Sequence, residues 1–324
     1  LLHLARSRSP GQPKHSRKGL VTGSLADLAR TRGIVERISA RGDVITPLDE
    51  ASAYQTITQL FAQGVESLTI CLLHAYANPM HELRLKAIAA EIDATVRVSL
   101  SHELAPQAGE YERTLATVMN ACVQPEMDKL LSNVQQALKT VQIGGQLTVA
   151  QSTGTRVSAR QAGETPVFAM RAGPAGGAAG AATVASLAGY PDALSFEMGG
   201  SSTDICLIRD GVARMANEAP VGDDPINLPS LDVRTIGGGS GATAYSPMSG
   251  TLCVGSPDRG APSIPACFGG DNHLPTLSDA NVVLGRLPGN HVSIDAAAAA
   301  DVVGALARDL GLDSHRAAQG IVDI

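Results

Sequence analysis

The sequence predicts an α/β protein. Helical and strand patterns alternate over residues 49–100, an Ala/Gly-rich helical stretch covers 174–187, and short strands separated by glycine turns follow it. Residues 34–48 read as a β-hairpin around the Arg41-Gly42-Asp43 turn, with hydrophobic residues alternating on both sides. Asp49 is suited to cap a helix reaching about Ala62, with Ala51, Ile57, Leu60 and Phe61 on one side and Gly64 ending it. Residues 65–73 form a continuous apolar run, as in a strand buried on both faces. Asn78-Pro79 opens a second helix with proline in its first turn, and 95–100 is a further strand, so the spacing predicts parallel pairing. A long helix is predicted over 109–139, broken near Gln124-Pro125, then a short strand over 146–151. A last helix is predicted at about 294–310.

Composition narrows the function. The 324 residues are enough for about two domains, and 44% hydrophobic with 17% charged residues is ordinary for a globular chain. A net charge of −6 argues against a general nucleic-acid binder, which needs a basic face. Five scattered cysteines without CxxC spacing predict reduced, buried thiols in a cytoplasmic protein rather than a disulfide framework. No apolar run is long enough to span a bilayer, so no membrane partner is expected. Residues 1–33 are rich in Lys, Arg and Ser and read as a basic tail or truncation junction.

The most informative stretch begins at Ala193. A strand pattern over 193–197 leads into Met198-Gly199-Gly200-Ser201-Ser202-Thr203-Asp204, then a second strand over 205–208, an Asp210-Gly211 turn and a third strand over 212–215. P-loop and dinucleotide folds run from a strand through a glycine loop into a helix, so this order fits neither. It fits the antiparallel meander that opens each lobe of actin-like (ribonuclease H-like) ATPases, whose first turn holds phosphate. Gly199 and Gly200 let backbone N–H groups approach phosphate oxygens, and Ser201, Ser202 and Thr203 offer hydroxyl donors. Glu197 and Asp204 are the candidate catalytic and Mg²⁺-holding carboxylates, acting through water, because Mg²⁺ takes hard oxygens and keeps much of its hydration. The alternative is a glycine hairpin with a capping serine. Gly237, Gly238, Gly239 and Ser240 follow a strand over 231–235 and are expected to line the nucleotide, the alternative being a loop with no ligand. Arg171 to Gly177 leads into a helix whose N-terminus suits an anion, or whose glycines serve close packing.

Longer motifs then come in a fixed order: Ala172-Gly-Pro-Ala-Gly-Gly-Ala-Ala-Gly-Ala181, Phe196-Glu-Met-Gly-Gly-Ser-Ser-Thr-Asp204, Leu231-Asp-Val-Arg-Thr-Ile-Gly237, Pro265-Ala-Cys-Phe-Gly269 and Pro275-Thr-Leu-Ser-Asp-Ala-Asn-Val-Val-Leu-Gly-Arg-Leu287. Upstream stand Asp43-Val-Ile-Thr-Pro-Leu-Asp49, Cys71-Leu-Leu-His-Ala-Tyr-Ala-Asn-Pro79 and Glu110-Tyr-Glu-Arg-Thr114. Together, over about 34–324, the chain resembles the hydantoinase A / 5-oxoprolinase family. The resemblance implies truncated actin-like lobes, with ATP and Mg²⁺ as cofactors. It implies ring-opening hydrolysis of a cyclic amide such as a hydantoin or 5-oxoproline, in which phosphorylating the amide oxygen makes a leaving group. Its relatives include the ATP-using subunits of ketone carboxylases, and a hydantoinase B-type second subunit is the expected partner. Residues 34–108 then correspond to the C-terminal part of the family's N-terminal domain, and 109–324 to the N-terminal part of its hydantoinase A-type domain. The chain departs from the family pattern in having Glu197 for the usual Asp, and an Asp-Val-Gly-Gly-Thr-Phe-Thr-Asp type first phosphate hairpin is absent from it. The rival readings are a carboxylase subunit, a non-catalytic remnant acting as an interaction module, and a sugar-kinase-like enzyme.

Other polar residues have plainer readings. His74 and His81 lack convincing metal spacing, and His102 beside Glu103 is expected on a surface loop. Cys267 is expected as a packed small residue, Asp279 and Asn281 as capping residues of the following helix, Asp232 as a strand end or cleft residue, and Asp223-Asp224 as a solvated turn.

Overall fold

The computed structural model describes residues 28–324 apart from 217–218, 222–223, 227, 249, 256–263, 271–272 and 288–292. Most of the basic segment over 1–33, and Asp223 of the expected acidic turn, lie outside the described residues. The chain divides into two units, one built from the chain up to Gly176 with Met215–Asp232, the other from Gly177–Arg214 with Val233–Ile324.

The first unit opens with the expected hairpin, β1 (Arg37–Ile38) and β2 (Val44–Thr46). The Ser39 hydroxyl accepts the N–H groups of Arg41 and Asp43, and Gly42 supplies the φ of 92° that the turn requires. Asp49 caps α1 (Glu50–Ala62) by accepting the Ser52 N–H at 3.1 Å. β3 (Ser67–Ile70), α2 (Met80–Ile92) and β4 (Arg97–Leu100) follow, and β3 and β4 pair in parallel. Leu68, Ile70 and Leu100 pack against Ala53, Ile57 and Leu60 of α1 and Leu85, Ile88 and Ala89 of α2. That core is the physical reason the two helices and two strands form together.

After α3 (Ser101–Leu104) comes α4 (Glu110–Thr140), which packs against β3 and β4. It runs unbroken through Pro125, where the sequence predicts a break. Proline has no N–H for the carbonyl of Ala121 four residues earlier, and the Ser67 hydroxyl on β3 donates to that carbonyl instead, at 3.3 Å. A tertiary hydrogen bond thus replaces the missing helical one.

His102, expected on a surface loop, lies in α3, and its Nδ1 meets the Glu82 carboxylate at 2.7 Å. Glu82 is fully buried and accepts from the Leu72 N–H, the Ser101 hydroxyl and the His102 N–H as well. Buried Arg113 on α4 donates to Ser101 Oγ, to the Gln107 carbonyl and to the Leu72 carbonyl. Each buried charge is therefore surrounded by partners, as desolvation demands. His81 is likewise buried, with its Nδ1 2.8 Å from Glu36.

The unit continues with the hairpin β5 (Thr148–Ala150) and β6 (Arg156–Ser158), then α5 (Ala159–Glu164). α6 (Ala172–Leu187) starts within the Arg171–Gly177 glycine segment, which forms the helix rather than a loop before it. In the second unit, β7 (Ala193–Met198), β8 (Thr203–Arg209) and β9 (Val212–Ala213) form the predicted meander. Asp210 and Gly211 turn the chain with φ of 50° and 76°. The predicted third strand ends at Ala213 and is interrupted at Arg214. β10 (Met215–Ala216) belongs to the first unit and pairs with β13 (Ser230–Leu231), while β11 (Ala219–Val221) pairs with β12 (Asp224–Ile226).

In the second unit β14 (Val233–Ile236) completes a sheet in the order β14-β8-β7. β15 (Ala244–Tyr245) pairs with β16 (Cys253–Val254). The helices α7 (Leu277–Val283), α8 (Ala296–Leu310) and α9 (Ser314–Asp323) share a core of Ala244, Ala280, Val303, Leu306, Ala307, Ala317, Ala318 and Ile321. The many alanines let these helices approach closely. All five cysteines are free thiols, and no helix among the described residues is long and apolar enough to cross a membrane.

Replacing Ser67 by Ala strands the Ala121 carbonyl beside Pro125. The expected loss is about 1 kcal/mol of stability, the scale of one intramolecular hydrogen bond, read as a lower urea midpoint with unchanged slope. The double variant Ser67→Ala, Pro125→Ala restores the helical donor and is expected to recover most of that loss.

Candidate functional site

Within the β14-β8-β7 sheet, antiparallel register aligns Glu197 with Asp204 and Asp204 with Thr235. Side chains directly opposite one another share a face, so the three form one polar row at the end of the sheet next to the glycine turn. The Thr235 hydroxyl donates to Asp204 Oδ1 at 2.5 Å and so fixes that carboxylate. Glu197 lies against α6, where a methyl group added at Gly177 would run into its carboxylate. The extra methylene of Glu is thus accommodated by a helix position without a side chain. Thr235 and Gly177 escape sequence reasoning because their roles arise from cross-strand register and from helix packing.

The turn over 199–202 closes through the Gly199 N–H and the Ser202 carbonyl at 2.8 Å. It docks on the second glycine turn backbone to backbone. The Ser240 and Gly241 N–H groups donate to the carbonyls of Gly199 and Gly200 at 2.9 and 2.7 Å. The Thr203 hydroxyl, buried, donates to the Gly238 carbonyl at 2.5 Å and so ties the two turns together. Gly239 sits where a Cβ would meet the Gly199 carbonyl oxygen at 2.6 Å, so only glycine permits the contact. Among the described residues, no protein acceptor takes the amide N–H groups of Gly200, Ser201 and Gly237 or the hydroxyls of Ser201 and Ser202. The Gly199, Gly200 and Ser202 carbonyls are engaged within the fold and a set of donors is left over, a pattern that favours an anion.

The described residues contain no group of three or more His, Cys, Asp or Glu side chains that could hold a metal. Glu197 and Asp204 are two hard-oxygen donors, a set that fits Mg²⁺ only where phosphate oxygens and water complete its coordination. Cys267 is packed, as expected. Burial pushes its thiol up to about 12, with a hydrogen bond to Asp279 adding to the shift. The Cys71 thiol also rises to about 12, through burial and then the charge of Glu82. Asp279 acts in a capping box whose N-cap is Thr276, while Asn281 bonds inside α7 to the Leu277 carbonyl. Asp232 is half-buried between β13 and β14.

Comparison with known proteins extends this geometry. The family model described as Hydantoinase/oxoprolinase matches residues 113–324, and that of the Hydantoinase/oxoprolinase N-terminal region matches residues 13–93. The chain belongs to the hydantoinase/oxoprolinase family. It is 31% identical to the caprolactamase subunit alpha of Pseudomonas jessenii over 299 residues, which is 90% of this chain and 43% of that one. It is 29% identical to the 5-oxoprolinase of Saccharomyces cerevisiae over 274 residues, covering 84% of this chain and 20% of that one. The nucleotide-free structure of acetone carboxylase, solved in a study of ATP-dependent acetone carboxylation, superposes with a TM-score of 0.75 at 28% identity, over 90% of this chain and 42% of that one. The chain spans less than half the length of these hydantoinase/oxoprolinase relatives.

Two outcomes follow from the geometry. Gly239→Ala is expected to separate the two turns and to lower the unfolding midpoint, with a loss of about 1–3 kcal/mol from the forced backbone shift. Alkylation at pH 8 is expected to spare Cys71 and Cys267 in the folded protein, since both thiols remain protonated there, and to label them after urea unfolding. Because folding raises these pKa values, the native state holds protons that the unfolded state loses. Their contribution to stability is therefore complete below the ordinary thiol value of 9.0 and is lost as pH climbs from there toward 12.

Proposed function

We propose that this chain carries the phosphate-binding part of an actin-like ATPase lobe in an enzyme that opens cyclic amides at the expense of ATP. The single observation behind this reading is the hairpin turn of Gly199, Gly200, Ser201 and Ser202. Its Gly199 and Gly200 carbonyls are engaged by the second glycine turn, while its N–H groups at Gly200 and Ser201 have no acceptor among the described residues, beside the Glu197–Asp204 row. In this reading those amides and the Ser201 and Ser202 hydroxyls hold phosphate oxygens, and Thr203 keeps the turn in shape. Glu197 and Asp204 hold Mg²⁺ through water, and Gly237, Gly238, Gly239 and Ser240 line the nucleotide. ATP supplies the phosphoryl group that turns a poor amide leaving site into a good one; the chain supplies positioning and charge neutralisation. Residues 34–108 and 109–324 are the parts contributed to the family's N-terminal and hydantoinase A-type domains.

The names of relatives support the substrate class and a second subunit. One is a caprolactamase subunit alpha and another a 5-oxoprolinase, both names of cyclic-amide enzymes. A hydantoinase B-type partner is the corresponding proposal here, with a cytoplasmic location. The second reading, an ATP-using subunit of a ketone carboxylase, is favoured by the fold shared with acetone carboxylase.

Calorimetry with Mg-ATP tests the central claim. A Cβ added at position 200 meets nothing within 4 Å, so Gly200→Asp is expected to fold and to place a carboxylate against the phosphates. Mg-dependent binding by the native chain, abolished in this variant, is the expected result. A folded chain that binds no Mg-ATP sinks the reading. With a partner subunit present, amide hydrolysis without bicarbonate separates the first reading from the carboxylase.

A further inference from the structure

The glycine turn over 237–241 is held from two sides. One is the phosphate-type hairpin, through the bonds from Ser240, Gly241 and Thr203. The other is α7. There the Ser240 carbonyl accepts both the amide N–H and the hydroxyl of Ser278, each at 2.9 Å. Ser278 is 4% exposed. Its hydroxyl takes no part in capping α7, because Thr276 and Asp279 complete that box between themselves.

α7 is itself firmly placed. The second oxygen of the Asp279 carboxylate accepts the Cys267 N–H at 2.8 Å, and the Cys267 carbonyl accepts the N–H of Asp295, the N-cap of α8. Ala280 is buried in the core shared by α7, α8 and α9. The neighbouring bonds from Leu277 N–H to the Ala242 carbonyl and from Ala244 N–H to the Pro275 carbonyl run between the same two segments. Ser278 is thus the point at which a packed helical core grips the carbonyl of a glycine turn. Glycine-rich backbone has little conformational preference of its own, so its shape must be imposed by such contacts.

We propose that Ser278 is a positioning residue for nucleotide binding. By fixing the Ser240 carbonyl it sets the 237–241 turn against the 199–203 hairpin, holding the donor groups of both in register for the nucleotide. This rests on the ATP reading above.

The test is Mg-ATP calorimetry on the full chain for the native protein, Ser278→Ala and Ser278→Thr, with thermal unfolding of each. Ser278→Ala is expected to weaken Mg-ATP binding about tenfold, the scale of one hydrogen bond, and Ser278→Thr, which keeps the hydroxyl, to stay within about twofold. A purely structural role would lower the unfolding midpoint of Ser278→Ala while the folded fraction bound Mg-ATP as the native protein does, and that result overturns the proposal. Equal affinity in all three proteins at equal midpoints overturns it too. In either case the native chain still binds, and the ATP reading stands. Absence of binding by the native chain defeats the ATP reading first and this inference with it.

Discussion

The carbonyl groups of Gly199 and Gly200 accept the amide N–H groups of Ser240 and Gly241, and the candidate site depends on this backbone-to-backbone contact. Two chain segments approach this closely only where neither carries a Cβ at the point of contact, and Gly239 meets that condition. The contact also sorts polar groups. The Gly199 and Gly200 carbonyls are engaged by the second turn, and the Thr203 hydroxyl is engaged by the Gly238 carbonyl. Donors at Gly200 and Ser201 are left over. A site rich in unengaged N–H groups favours negative charge through dipoles already fixed by the fold, without reorganisation when the ligand arrives.

The acidic row beside the turn obeys a second constraint. Glu197 reaches one methylene further than an aspartate would, and the space for that reach comes from Gly177 on α6. Asp204 is shorter and is steadied across the sheet by Thr235. Two carboxylates at matched positions on neighbouring strands would repel one another unless a cation or separate contacts hold them. Here one is set by packing against a helix and the other by a hydroxyl. Both are placed by the same hairpin that carries the donors, so phosphate and metal chemistry would be coupled through a few residues of β7 and β8.

Elsewhere the fold shows local rules overridden by tertiary contacts. Pro125 removes a helical donor, yet α4 continues because Ser67 on a strand serves the orphaned carbonyl. His102 reads as a surface residue by its neighbours, yet it contributes to the shell of donors around fully buried Glu82. A buried carboxylate needs several partners at once, and these come from the end of β3, from α3 and, through Ser101, from Arg113 on α4. That network joins elements whose positions in the sequence are far apart.

What the sequence determined by itself was whatever depends on short-range pattern. The Arg41-Gly42-Asp43 turn, the Asp49 cap, the parallel pairing of β3 and β4, the meander over β7 to β9 and the family motifs were all legible, because turn chemistry, caps and hydrophobic period act over a few residues. The split of the third meander strand at Arg214 was not legible, since β10 pairs with distant β13. Nor was the part played by Thr235, Gly177 or Ser278. Each of these meets its partner across a sheet, a helix packing or a turn, at separations where sequence spacing carries no distance. Only the tertiary structure decided which glycine needs its missing side chain, which hydroxyl is engaged, and which donors remain for a ligand.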